Sequence, residues 1–170
     1  IKKEIARHQA DIGFAFDPDG DRIFVIDEKS QFVPGTLILA LTAEQLLKQN
    51  DRAVILYNVT TGKAVQDVID QYQGKGIMTP VGHAKIKRLA KQHKADFAGE
   101  AQSGHFFFKE NFYADNALIF ACRLMELLSK SNQPLSSIIK PHQKYYISGE
   151  INTPLKSQKN AKAKMRELKA

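Results

Sequence analysis

The chain has 170 residues, 43% hydrophobic and 25% charged, a mix that suits a globular protein with a buried core and excludes a disordered or collagen-like chain. Its net charge of +7 sits mostly at one end: residues 140–170 hold eight Lys or Arg against Glu150 and Glu167. The rest is nearly neutral, and the stretch from Lys156 to Ala170 has no aromatic residue on which a base could stack, so it reads as a solvated helix face and no nucleic-acid partner is expected. No apolar run is long enough to span a bilayer, and no membrane association is expected. The first residues, Ile1-Lys2-Lys3-Glu4, carry neither a start methionine nor a signal-peptide core, so a cut end is expected there. A lone cysteine, Cys122, supplies neither an internal disulfide nor a metal-binding pair, which sets the expectation of a reducing, cytoplasmic setting.

In chain order, Ile12 to Phe16 and Arg22 to Ile26 read as two short strands joined by a Pro/Gly/Asp loop. Turn residues at Glu28-Lys29-Ser30-Gln31 and Pro34-Gly35 precede a helix carrying Leu37, Leu41, Leu46 and Leu47. Ala53–Tyr57 is a strand of the buried type, Thr61–Tyr72 a helix, Gly76–Pro80 a strand, and Val81–Gln92 a basic helix. Asp96–Ala98 and Phe106–Phe108 are short strands, and Ala117–Leu128 is a strongly apolar helix. This alternation predicts a layered α/β domain, a mixed β-sheet with flanking helices, over residues 35–140. Ile138 to Tyr146 reads as a connector, and the lysine-rich end has too few apolar residues to form a core alone. His8, His93 and His142 stand in plain polar contexts.

Two loops carry chemistry. In Asp17-Pro18-Asp19-Gly20-Asp21-Arg22, three carboxylates at alternate positions repel one another, and a hard divalent cation relieves that repulsion. A plain acidic turn is the bland alternative. A calcium EF-hand loop is the sharper one, since Glu28 falls at its twelfth position; but its sixth position demands glycine and is Arg22 here. In Gly99-Glu100-Ala101-Gln102-Ser103-Gly104-His105, two glycines free the backbone and the polar side chains suit hydroxyl groups. Between these loops, Val81-Gly82-His83-Ala84-Lys85-Ile86-Lys87 opens a helix whose amides and lysines suit an anion.

Together and in this order, the three segments resemble motifs of the phosphohexomutase family, the phosphomannomutases and phosphoglucomutases. Asp17, Asp19, Asp21 and Arg22 match its metal loop D-G-D-[AG]-D-R, and Val81–Lys87 matches V-G-H-x-x-I-K. Gly99, Glu100, Ser103, Gly104 and His105 match its sugar loop G-E-x-S-G-H, with one residue more between Glu and Ser. That extra residue sets the expectation of a bulge at Ala101-Gln102 with Glu100 and Ser103 facing a common cleft with His83. Where the family often has a basic residue, the chain reads Asn58-Val59-Thr60, leaving Lys63 as the nearest cation.

The resemblance implies reversible phosphoryl transfer between carbon 1 and carbon 6 of a hexose phosphate, mannose or glucose, through a bisphosphorylated sugar. Asp17, Asp19 and Asp21 would hold Mg2+, and Arg22 would offset charge on the transferring group. Glu100, Ser103, Lys87 and Lys63 would bind substrate, while His83 and His105 would orient the sugar or handle its proton. The family's phosphoserine loop, T-A-S-H-N-P-like, and its phosphate clamp, R-x-S-G-T-like, do not occur in the chain. The resemblance therefore implies a fragment: residues 1–34 from the end of the metal-loop domain, 35–140 the sugar-loop domain, and 141–170, including Glu150-Ile151-Asn152, the entry to the last domain. Such a fragment is expected to be inactive alone, with both its ends, 1–34 and 141–170, less well packed than the centre. A sugar-phosphate-binding module without catalysis is the alternative from a different class.

Overall fold

A computed structural model describes residues 1–147, 154 and 158–167. Glu150-Ile151-Asn152 lie outside the described residues. A first sheet is antiparallel in the order β1 (Ile12–Phe16), β2 (Ile23–Asp27), β3 (Phe32–Val33), with Ile12 opposite Asp27 and Phe16 opposite Ile23. A short helix, α1 (Lys2–His8), lies against β1 and buries Ile5, leaving no room for a side chain at Gly13. Neither α1 nor β3 is legible in the sequence, since one has a single buried residue and the other spans two.

A second sheet follows the helix α2 (Gly35–Gln49). Its order is β5 (Lys75–Thr79), β4 (Val54–Asn58), β6 (Phe97–Glu100), β7 (His105–Phe108), parallel except for β7. The chain leaves β4 through α3 (Lys63–Gln71) to β5, then returns through α4 (His83–His93) to the other side of β4. The direction of winding reverses at β4, so helices cover both faces, and the loops after β4, β5 and β6 gather at the carboxyl edge, where folds of this kind bind ligands. Strand periodicity decides which side chains go where. Ile55, Tyr57, Phe97, Phe106 and Phe108 face α2, α3 and α5 (Ala117–Lys130), while Leu56, Ala98 and Phe107 face Ile86 and Ala90 of α4. Phe97 is fully buried, 4.9 Å by ring centroid from Phe108, and the Phe106 and Phe120 rings stack at 4.1 Å.

The segment 1–34 is less buried than the centre, as expected, but β2 and β3 anchor it: Ile23, Val25 and Val33 are 2% exposed or less and belong to the same core cluster as α2 and Phe97. β2 brings an apolar face that packs against α5 of the neighbouring domain. The segment read as a connector is folded: α6 (Leu135–Ile139) and a 3-10 turn over Lys140–His142 bury Leu135, Ile139 and His142, with α6 packed against α2. The calcium alternative fails, because Glu28 turns away from the loop and accepts hydrogen bonds from the amide and hydroxyl of Ser136. The last helix, α7 (Gln158–Glu167), is present, and Cys122 is exposed on α5.

His142 is buried rather than solvated, its Nε2 3.1 Å from Oε2 of Glu44, whose other oxygen accepts from Tyr72 and pairs with Lys48. Burial pushes the imidazole below its ordinary pKa against the pull of Glu44. The folded chain then holds this proton less tightly than the unfolded chain, so the stability His142 contributes is complete above the ordinary imidazole value and declines as pH falls below it. We expect the unfolding midpoint to fall between about pH 7.5 and about pH 5.5, and the His142→Gln variant to show a shallower fall. An equal slope in that variant contradicts this.

Candidate functional site

The site is assembled at the carboxyl edge of the second sheet. Asn58, Thr79 and Glu100, the last residues of β4, β5 and β6, are 1%, 1% and 4% exposed, a row of buried polar groups where apolar ones would otherwise continue the strands. Such groups must find partners inside the protein. The Glu100 carboxylate accepts from Asn58 Nδ2 at 3.0 Å and the Gly82 amide at 2.7 Å on one oxygen, and from Ser103 Oγ at 3.1 Å on the other. Asn58 in turn accepts from the hydroxyls of Thr60 and Thr61, each at 2.9 Å. Glu100 therefore ties together the loops after β4, β5 and β6, and with three of about four acceptor positions taken it retains one for a ligand hydroxyl.

The extra residue of the sugar loop makes no bulge. β6 and β7 pair in register up to Glu100 opposite His105, and the intervening residues, Ala101 to Gly104, form a turn in which the Ser103 and Gly104 amides bond to the Glu100 carbonyl. A strand bulge would misalign the buried faces of both strands, whereas a turn absorbs a residue without shifting either. Glu100, Ser103 and His105 nevertheless lie together, with Ser103 Oγ 3.1 Å from Glu100 Oε2 and 2.8 Å from His105 Nδ1, and His83 stands beside them, its ring 4.9 Å by centroid from that of His105. The turn leans on α2, where Gly35 leaves its space to Ala101; a Cβ there would stand 2.0 Å from the Ala101 carbonyl oxygen. Gly35→Ala must push the sugar loop aside, at an expected cost of about 1–3 kcal/mol, read as a fall in thermal midpoint. An unchanged midpoint would show that the loop is not braced by α2.

The carboxylate loop of the first sheet docks onto this cleft. The Ile23 amide donates to the Gly104 carbonyl at 3.0 Å, and the Ala117 amide to the Gly20 carbonyl at 3.0 Å. Gly104 has φ +79°, with the Ile23 backbone so close that no side chain fits. Asp17, Asp19 and Asp21 converge, each offering an oxygen within 4.8 Å of the others. Arg22 donates to both oxygens of Asp17, from its amide at 3.1 Å and from Nε at 2.6 Å. Desolvation works to raise the Asp17 pKa, but the Arg22 bonds prevail and hold it well below the usual carboxylate range, while the Arg22 pKa is raised. Asp17 thus stays ionised through the neutral range, its stabilising effect complete above the ordinary carboxylate pKa and lost only at strongly acid pH. Asp21 reaches the cleft, its Oδ2 3.4 Å from His105 Nε2.

His83 is the first residue of α4 and about half exposed, with Asp115 Oδ1 4.0 Å from its Nδ1. Lys87, one turn on, pairs with the same Asp115 and lies over the Phe107 ring. Lys63 begins α3 and lines a different groove with Thr36, His142 and Tyr145. Asn58 and Asp115 were missed by sequence reading, and neither has a local signal: one ends a buried strand, and the other precedes the Asn116 cap of α5.

This is a doubly wound α/β/α domain whose loops at the carboxyl strand ends meet an acidic loop from a neighbouring sheet. Residues 34–146 match the family described as phosphoglucomutase/phosphomannomutase, alpha/beta/alpha domain III, and the chain belongs to that family. It is 35% identical over 98% of its length to a phosphomannomutase of Methanocaldococcus jannaschii, covering 37% of that protein. It is 37% identical over 84% of its length to a phosphomannomutase/phosphoglucomutase of Pseudomonas putida, covering 31% of it. The solved structure of a phosphoglucomutase/phosphomannomutase family protein from Burkholderia thailandensis superposes with a TM-score of 0.79 at 32% identity, covering 86% of this chain and 32% of that one. The chain spans about a third of the length of the relatives it matches. None of the described helices is long and apolar enough to cross a membrane.

Proposed function

We propose that the chain is the metal-loop and sugar-loop segment of a phosphohexomutase, which moves a phosphoryl group reversibly between carbon 1 and carbon 6 of a mannose or glucose phosphate. The observation that carries this reading is the 3.4 Å approach of Asp21 to His105, which puts the acidic loop and the sugar loop in one cleft. In-line phosphoryl transfer asks a protein for positioning and charge neutralisation rather than for covalent help.

The all-oxygen donor set of Asp17, Asp19 and Asp21 suits a hard cation, and Mg2+ with remaining positions for phosphate oxygen is the ion we assign. When bound, it supplies charge neutralisation at the transferring group. Arg22 fixes Asp17 through Nε and offsets charge at the same place. Glu100 and Ser103 bind sugar hydroxyls with the valences that their mutual bond leaves free, and Asn58 and the Gly82 amide keep Glu100 in place. His105 orients the sugar or carries its proton, with Ser103 against its Nδ1. His83 does so from the start of α4, where the exposed amides and Lys87 also favour a phosphate. Lys63 is an auxiliary cation at the start of α3. Residues 1–34, 35–140 and 141–170 are then the end of one domain, a whole second domain and the start of a third.

The proposal is tested by incubating the 170-residue chain, and a longer protein that adds a phosphoserine loop and a terminal phosphate clamp, with glucose 1-phosphate, glucose 1,6-bisphosphate and Mg2+. We expect glucose 6-phosphate from the longer protein alone, because lost positioning forfeits about 7–11 kcal/mol of barrier reduction. Turnover by the short chain overturns the fragment reading, and no turnover by the longer protein leaves only a sugar-phosphate-binding module.

A further inference from the structure

His83, His105 and Asp21 form a second cluster of potential ligands, each with one donor atom within 4.8 Å of the other two. We propose that it is a separate site for a borderline transition metal such as Zn2+, with Asp21 shared between this site and the carboxylate loop. The proposal stands whether or not the chain acts on a hexose phosphate.

Three features of the geometry support it. His105 Nε2 and Asp21 Oδ2 are 3.4 Å apart. That is long for a hydrogen bond, but it equals the separation, about 3.4 Å, of two ligands bonded at about 2.1 Å to one tetrahedral zinc ion. Second, His105 has an outer partner at Nδ1, Ser103 Oγ at 2.8 Å, itself hydrogen-bonded to Glu100, while the Asp115 carboxylate stands 4.0 Å from Nδ1 of His83. Metal-ligating histidines are held in this way, with the second nitrogen tied to a carboxylate, directly or through another group, so that Nε2 keeps its lone pair for the metal. Third, His105 is 8% exposed and seated in β7, and the His83 ring lies 4.9 Å from it by centroid at the exposed start of α4.

Two imidazoles and one carboxylate make a donor set that prefers Zn2+, Co2+ or Ni2+ to Mg2+, and three protein ligands leave a fourth position open to water or phosphate oxygen. Because Asp21 belongs to both donor sets, a metal bound in one lowers the affinity of the other, so the two metals antagonise each other.

The test is Zn2+ affinity of the 170-residue chain, measured by competition with a chromophoric chelator near neutral pH. His83→Gln is the deciding variant, because an exposed side chain at a helix start can be replaced without unfolding the chain. It should weaken Zn2+ binding by tenfold or more, as should His105→Gln, whereas Asp19→Asn, which alters only the carboxylate loop, should change it less than threefold. Co2+ bound in place of zinc should give the strong visible absorption of a four-coordinate site, lost in His83→Gln. Zn2+ affinity unchanged by His83→Gln, or abolished by Asp19→Asn, overturns the proposal by placing the ion elsewhere.

Discussion

In the longer enzyme proposed above, Asp19→Asn is expected to lower kcat on the order of 10²–10³-fold and to raise the Mg2+ concentration needed for half-maximal rate. Asp19 is exposed, and the hydrogen bonds that shape its loop run instead from Arg22 to Asp17 and between the backbones of residues 17 and 20. The substitution therefore removes a charge from the cation site with little structural cost, and the thermal midpoint should stay where it is. The isosteric amide keeps the shape of the loop but not the charge that balances a divalent cation. Turnover equal to that of the parent protein would count decisively against the assignment of the loop.

Phe97→Ala should be the most destabilising single substitution in the central sheet, at about 3–5 kcal/mol. Phe97 is wholly buried, with Phe106, Phe108 and Phe120 around it, and it opens β6, the strand that ends at Glu100. Removing the ring opens a cavity between the sheet and α5 that stacked neighbours cannot close without leaving their own contacts. At about 2–4 °C per kcal/mol for a chain of this size, the midpoint should fall by about 6–20 °C. A fall of only a degree or two in a calorimetric scan would mean that the aromatic cluster is not the centre of the core.

How much of this was legible in the sequence depended on how local each signal was. Asp17, Asp19 and Asp21 are close in the chain, so their convergence followed from spacing and charge repulsion, and the structure brings them together. The strands and helices of the second sheet were legible too, because their apolar residues repeat with the period of the element they form. The sequence motif points to Glu100 as a candidate site residue, but not to its three bonds to Asn58, Gly82 and Ser103. Two of those partners reach it only through the pairing of β4, β5 and β6, which no local pattern records. Asp115 illustrates the same limit: it meets His83 and Lys87 because α5 begins beside the start of α4, although β6 and β7 lie between the two helices in the chain. His142 was misread for the opposite reason, since a histidine among polar neighbours gives no sign that the turn carrying it will be pressed against α2.

The proposed site is built by two loops that belong to different sheets and lie far apart in the chain, and amide chemical-shift mapping on the 15N-labelled 170-residue chain tests it most directly. Adding Mg2+ alone should move the resonances of Asp17 to Arg22. Subsequent glucose 1,6-bisphosphate should extend the shifts to Gly82 and His83 at the start of α4 and to Glu100 through His105, because Asp21 and His105 already face each other across the cleft. Shifts confined to another surface, such as the groove between α2 and α5 lined by Gln45, Arg123 and Lys130, or no shifts at saturating concentrations of both ligands, would contradict the account.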